Sequence, residues 1–174
     1  MAIRKIVFYP DPVLREVCSP VEEIDEEVRT LVEDMVETMY DAPGIGLAAP
    51  QIGIKKRIIV VDVGGNSEDS AEPSLFKIIN PEIVESEGKV SGEEGCLSIP
   101  EVQESVARYE TVTVEGLDPE GQKISIDADG MLAICLQHEI DHLNGVLFID
   151  YLSRVKKEFL RGKLKKLAKL YKKS

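Results

Sequence analysis

Tryptophan is absent from this 174-residue chain, aromatic residues amount to 5%, histidine occurs twice and cysteine three times. The odd number of cysteines, with Cys18, Cys96 and Cys135 far apart, argues against a disulfide framework and for thiols kept reduced, as in the cytoplasm. No apolar run is long enough for a membrane span, and the short run before Pro10 and Asp11 falls short of a signal peptide. No internal repeat or low-complexity tract occurs. What is present, 43% hydrophobic and 30% charged residues, suits a soluble globular domain with a sizeable core.

The net charge of −11 conceals two opposite parts. Residues 154–174 hold ten basic residues and one acid, Glu158, whereas residues 1–153 hold 11 basic and 31 acidic residues, a net of −20. An acidic body repels DNA, while a basic terminal segment suits a polyanion such as ribosomal RNA. The expected organisation is a single catalytic domain over 1–153 with a basic amphipathic helix, 154–174, appended to it. In that segment Leu160, Leu164, Leu167 and Tyr171 recur at helical spacing among lysines and arginines. A solvated face on a helix docked to the acidic body is the alternative to partner binding. Without tryptophan, and with Phe159 as its one phenylalanine, the segment is poorly equipped for a membrane surface.

Val28, Leu31, Val32, Met35, Val36 and Met39 repeat with helical period behind Asp25, Glu26 and Glu27, predicting a helix from about Asp25 to Tyr40. A glycine-rich segment from Gly44 to Gly53 follows, then a buried-strand run from Arg57 to Val63 and a polar surface loop from Gly64 to Pro73. Strands are expected at Phe76–Asn80 and Glu82–Glu87. The alternating stretches Thr111–Gly116 and Lys123–Asp127, with Asp118-Pro119-Glu120-Gly121 between them, predict a hairpin. A second helix is expected from about Gly130 to Asn144, stopped by Gly145. Together these elements predict an α+β fold, antiparallel sheets packed around a central helix, with a further helix at the C-terminus.

Both histidines lie in that central helix, in His138-Glu139-Ile140-Asp141-His142. Side chains four apart share a helical face, so two imidazoles can bind one cation, and the intervening glutamate can reach a water beside it. Met131, Ile134 and Cys135 fall on the same face, suggesting an apolar floor. No later histidine supplies a third ligand, and neither Asp150 nor Glu158 fits the usual downstream position. Upstream, Glu94-Gly95-Cys96-Leu97-Ser98-Ile99-Pro100 reads as a short loop offering a thiol, which makes Cys96 the expected third ligand.

Three segments in order resemble the peptide deformylase family: Gly44-Ile45-Gly46-Leu47-Ala48-Ala49-Pro50-Gln51 its G-x-G-x-A-A-x-Q motif, Glu94-Gly95-Cys96-Leu97-Ser98 its E-G-C-L-S motif, and Gln137-His138-Glu139-Ile140-Asp141-His142 its Q-H-E-x-D-H motif. The flanks resemble the bacterial type with a basic C-terminal helix. The resemblance implies removal of the formyl group from formyl-methionine at the N-terminus of nascent polypeptides, releasing formate. It implies one divalent metal ion, Fe²⁺ in the cell, with Zn²⁺, Ni²⁺ or Co²⁺ able to take its place, and docking to the ribosome through the basic helix. Gln103 departs from the basic residue that some bacterial members carry near the substrate.

The expected mechanism is attack on the formyl carbon by hydroxide generated at a metal held by Cys96, His138 and His142. Glu139 is expected as general base and then acid, and the Gln51 amide and the Leu97 backbone N–H as oxyanion donors. By resemblance Ile45 and Gly95 offer main-chain bonds to an extended peptide beside Gly44 and Gly46, and Glu94 orients its loop. Met131, Ile134 and Cys135 are expected to receive the methionine side chain. Asp141 is expected to support the site, holding a histidine or bonding the helix surroundings. Two other classes stay open: a metallopeptidase using the same helix with a different third ligand, and a non-catalytic module with a structural metal.

Overall fold

The computed structural model describes residues 2–64 and 74–171. The loop expected over residues 64–73 lies outside them from residue 65 onward, as do Lys172 and Lys173 of the basic segment. Among the described residues no helix is long and apolar enough to cross a membrane.

Helix α1, Glu26–Asp41, starts where the Asp25 carboxylate accepts the Val28 N–H at 3.0 Å. That side chain satisfies a donor no helical carbonyl can reach. Strands β1 (Gly46–Ala48), β2 (Ile58–Asp62), β3 (Leu75–Glu87), β6 (Thr111–Leu117) and β7 (Lys123–Ala128) form one antiparallel sheet in the order β1-β2-β3-β6-β7. The continuous apolar run of β2 is explained by burial on both faces. Ile58 and Val60 face Val32, Met35 and Met39 of α1, whereas Ile59 and Val61 face the core shared with the central helix α2, Gly130–Leu143.

The two strands expected at Phe76–Asn80 and Glu82–Glu87 are one bent strand, β3. The bend lies where the β3–β6 register shifts between Ile79 and Glu82, with Asn80 at φ 54°. Asparagine tolerates that left-handed geometry, and the Asn80 amide also brackets both backbone groups of Val21. The expected loop from Glu94 to Pro100 is likewise corrected. Strands β4 (Val90–Cys96) and β5 (Ile99–Arg108) form a separate hairpin, closed by Leu97 and Ser98 between the paired Cys96 and Ile99. Pro100 is tolerated because it falls in a register shift between the Cys96–Ile99 and Glu94–Glu104 pairs, where ladder bonding is interrupted.

Helix α2 passes between the five-stranded sheet and this hairpin. Ala133, Leu136, Ile140 and Leu143 pack on the sheet, while its other side meets Glu94 of β4 and Arg108 of β5. The helix stops as the Gly145 pattern predicted: the Gly145 N–H bonds the His142 carbonyl, the Val146 N–H bonds the Asp141 carbonyl, and Gly145 sits at φ 74°. The C-terminal helix α3, Arg154–Tyr171, lays Leu160, Leu164 and Leu167 against Ile99, Val102, Phe148 and Leu152. Lys156 pairs with Glu104 at 3.3 Å, and the Lys163 ammonium donates to the Glu101 carbonyl.

Candidate active site

The structure brings Cys96, His138 and His142 together, with the sulfur and one nitrogen of each ring within 4.8 Å of one another. Cys96 comes from the end of β4 and the histidines from successive turns of α2. The Cys96 Sγ lies 3.4 Å from His142 Nε2. Both imidazoles are buried, and His138 stacks on Phe148 with ring centroids 6.0 Å apart. Burial pushes His142 well below the ordinary histidine pKa, so its ring is neutral and holds a lone pair to donate.

His138 is oriented from behind. Its Nδ1 donates to Glu94 Oε1 at 2.9 Å, which leaves Nε2 as the nitrogen free to face Cys96. Glu94 is clamped by Arg108 through two bonds of 2.8 Å, both side chains being almost fully buried. Burial alone would raise the Glu94 pKa, but the Arg108 guanidinium and His138 outweigh it and hold the carboxyl below the usual range. Arg108 also donates to Asp141 Oδ2 at 2.6 Å and lies over the ring of Tyr151, whose hydroxyl bonds the same oxygen at 2.8 Å. Thus the carboxylate holding a histidine is Glu94, not Asp141. Arg108, Tyr151 and Phe148 were not singled out in the sequence. Arg108 became assignable only once β5 was seen to return beside β4.

Gln51 is buried at 1% exposure in a 3-10 turn, Ala49–Ile52, that follows β1. Its Oε1 accepts the Ala48 N–H at 2.9 Å, which turns Nε2 toward Ser98 Oγ (3.2 Å) and Cys96 Sγ (3.5 Å). Leu97 occupies the turn beside Cys96 and presses on Gly44, where an added Cβ would lie 2.7 Å from Leu97 Cδ1. Gly46 is hemmed in from the other side. A Cβ there would stand 2.5 Å from Glu139 Oε2 and 2.9 Å from Cys135 Sγ.

Glu139 is 4% exposed, and among the described residues its Oε1 has no hydrogen-bond partner. Burial pushes its pKa up to about 7, so near neutrality it can hold or release a proton. It opens onto a cavity of about 830 Å³ whose walls include Gly44, Ile45, Gly46, Gln51, Gly95 and Cys96. Met131, Ile134, Cys135 and Leu97 line the same cavity, with Met131 and Ile45 half exposed at its mouth and Cys135 donating to the Ile45 carbonyl at 3.6 Å. Among the described residues β1 is the outer strand of its sheet and β4 belongs to a two-stranded one, so each presents an edge without a neighbouring strand there.

The chain matches the family model described as polypeptide deformylase over residues 3–158. It is 53% identical to a peptide deformylase of Rhizobium meliloti (strain 1021), the match covering 97% of this chain and 96% of that one. It is 51% identical to a peptide deformylase of Alkalilimnicola ehrlichii, over 97% and 93%. Among solved structures it superposes on a peptide deformylase from Legionella pneumophila with a TM-score of 0.88 and 49% identity, covering 99% of each chain. It also superposes on a peptide deformylase from Ehrlichia chaffeensis in complex with actinonin with a TM-score of 0.88 and 44% identity, over 95% of this chain and 98% of the other. The chain is therefore an enzyme, a hydrolase of the peptide deformylase family.

Proposed function

We propose that this enzyme removes the formyl group from the N-terminal formyl-methionine of nascent polypeptides, releasing formate, with one divalent metal ion held by Cys96, His138 and His142. The observation that carries this reading is the convergence of one thiol and two imidazoles beside a buried, unpartnered glutamate oxygen at the base of a cavity with two open strand edges. The donor set fits such an ion: the Glu94 bond directs the free nitrogen of His138, His142 is neutral, and a cation would favour the Cys96 thiolate. One sulfur and two nitrogens suit Fe²⁺, expected in the cell, and Zn²⁺, Ni²⁺ or Co²⁺ equally by chemistry. When bound, such an ion supplies Lewis acidity, polarising a carbonyl oxygen and making water acidic near neutral pH.

The protein's own groups do the rest. The methionine side chain enters between Ile134, Cys135 and Met131, while the peptide backbone lies along the open edges at Ile45 and Gly95. Gly44 and Gly46 leave the room that this approach needs. Glu139 accepts a proton from the attacking water and returns it to the amine as the C–N bond breaks. The Gln51 NH₂, aimed by its bond from Ala48, and the Leu97 N–H stabilise negative charge on the former formyl oxygen. Glu94, with both oxygens committed to Arg108 and His138, positions rather than binds substrate.

The test is formate release from formyl-Met-Ala-Ser and its acetyl counterpart by protein purified anaerobically, with bound metal measured on the same sample. Release from the formyl peptide alone, abolished together with metal by Cys96→Ser, supports the reading. Tight metal binding in Cys96→Ser would point to a different ligand set. For the cytoplasmic, ribosome-associated setting, exposed Lys165, Lys166 and Lys169 on α3 are the residues to reverse to glutamate. Undiminished co-sedimentation with ribosomes at low and moderate salt would eliminate that part.

A further inference from the structure

The segment from Val7 to Cys18 has no role in the chemistry above, yet it touches the chain at or just past each of the three motif segments. Its Val7 N–H donates to the Gln51 carbonyl at 2.7 Å, and its Tyr9 N–H donates to the Ser98 carbonyl at 2.8 Å. Further on, the Arg15 guanidinium donates to the Gly145 carbonyl at 3.4 Å and the Cys18 N–H to the Leu143 carbonyl at 2.8 Å, both at the end of α2 beside His142. Gln51 and Ser98 belong to separate parts of the fold. Gln51 follows β1 of the five-stranded sheet and Ser98 closes the β4–β5 hairpin, so among the described residues no strand ladder sets the distance between them. Two links join them instead: the 3.2 Å bond from Gln51 Nε2 to Ser98 Oγ, and the main-chain bridge through residues 7–9. Together these close a ring. Behind it, Val7 and Tyr9 pack against the cluster that holds Leu14, Ile99 and Phe148.

We propose that Val7 and Tyr9 are positioning residues, whose main-chain N–H groups set the spacing between the Gln51 amide and the Leu97 N–H. This rests on the deformylase reading above and deepens it, because the spacing matters to the reaction only if those two donors serve one developing oxyanion. The Gln51 backbone is held at its carbonyl by Val7, and the Leu97 N–H belongs to the residue before the carbonyl held by Tyr9. A shift at either bond leaves one donor short of the charge it should meet. Misplacement by about 1 Å can cost as much as 10² in rate. Opening one link of the ring loosens the donors without detaching them, so the loss is smaller and falls on turnover more than on substrate affinity.

The experiment removes one donor and leaves every side chain in place. A synthetic 1–17 thioester is joined in denaturant to residues 18–174 at Cys18, and the full chain is refolded with Zn²⁺, the Val7 N–H being replaced by an ester oxygen. The all-amide chain is one reference, and an ester at Lys5, whose N–H makes no bond among the described residues, is the other. The Val7 ester should lower kcat for formyl-Met-Ala-Ser by about fivefold to tenfold, with KM within about twofold. In a Gln51→Ala background the same ester should cost less than about twofold, because the donor that Val7 places is gone. A Val7 ester that matches the Lys5 ester, a loss carried by KM, or an undiminished loss in Gln51→Ala would overturn the proposal. A second measurement needs neither variant nor turnover. In the ¹⁵N-labelled Zn²⁺ enzyme the Val7 and Tyr9 amides and the Gln51 NH₂ should exchange with deuterium with one shared dependence on dilute urea, as a single opening. Unrelated dependences would also overturn it. Shared exchange in an enzyme that releases no formate removes deformylation and keeps the positioning segment, whereas formate release with unrelated exchange does the reverse.

Discussion

His138 and Glu94 are joined by a 2.9 Å bond from Nδ1 to Oε1, so a residue of the hairpin fixes which nitrogen of a helix residue faces Cys96. Arg108 keeps Glu94 ionised, and an ionised carboxylate accepts only from a protonated Nδ1. Replacing Glu94 by glutamine weakens that grip while leaving size unchanged. Metal affinity, read by competition with a chelator, should drop about 10-fold to 100-fold. An unchanged affinity would separate ring orientation from metal binding and remove Glu94 from the account.

Gln51 is constrained at one end by the Ala48 N–H, so its amide needs no reorganisation to meet developing charge. Gln51→Ala should lower kcat by about 10²–10³ with KM changed far less, measured as formate release at saturating and limiting peptide. Equal loss in KM would assign Gln51 to ground-state binding. Gln51→Glu should be no better, since a carboxylate supplies no donor to an oxyanion.

The site was legible in the sequence where chemistry is concentrated in a short span. Two histidines four apart declare a shared helical face, and Cys96 stands out because the other thiols lack its glycine-flanked setting. The supporting layer was not legible, because Glu94 and Arg108 meet only through the β4–β5 pairing. Pro100 disguised that pairing as a loop, although the register shift leaves it outside regular bonding. At β3, Asn80 concealed a continuous strand by the reverse logic: a turn-prone residue marks a bend, and pairing resumes at Glu82. Local period reveals elements, whereas irregularities inside a strand take their meaning from partners distant in sequence.

Gly145 ends α2 three residues after His142, and a methyl group there would lie 2.4 Å from the Arg15 carbonyl oxygen. Because φ is 74°, the substitution also meets backbone strain. Gly145→Ala should therefore cost about 1–3 kcal/mol in urea unfolding, with an altered last turn beside His142. Asn144→Ala, one residue earlier and exposed, is the control and should lose far less.

Asp34 makes the stability depend on acid. Burial by itself would raise its pKa, but the Ala2 N–H at 2.6 Å and the Arg4 guanidinium at 2.8 Å reverse this and hold the carboxyl below the ordinary value. A carboxyl with a lower pKa folded than unfolded binds fewer protons in the native state. Its contribution is complete above the unfolded value, roughly pH 4, and disappears as pH falls through the folded one. Urea midpoints of the parent should decline across that acid range. In Asp34→Asn the midpoint should be lower at pH 7 and this part of the decline missing, so the two curves converge in acid. Parallel curves would mean that the carboxylate charge contributes nothing and that the loss comes from geometry alone.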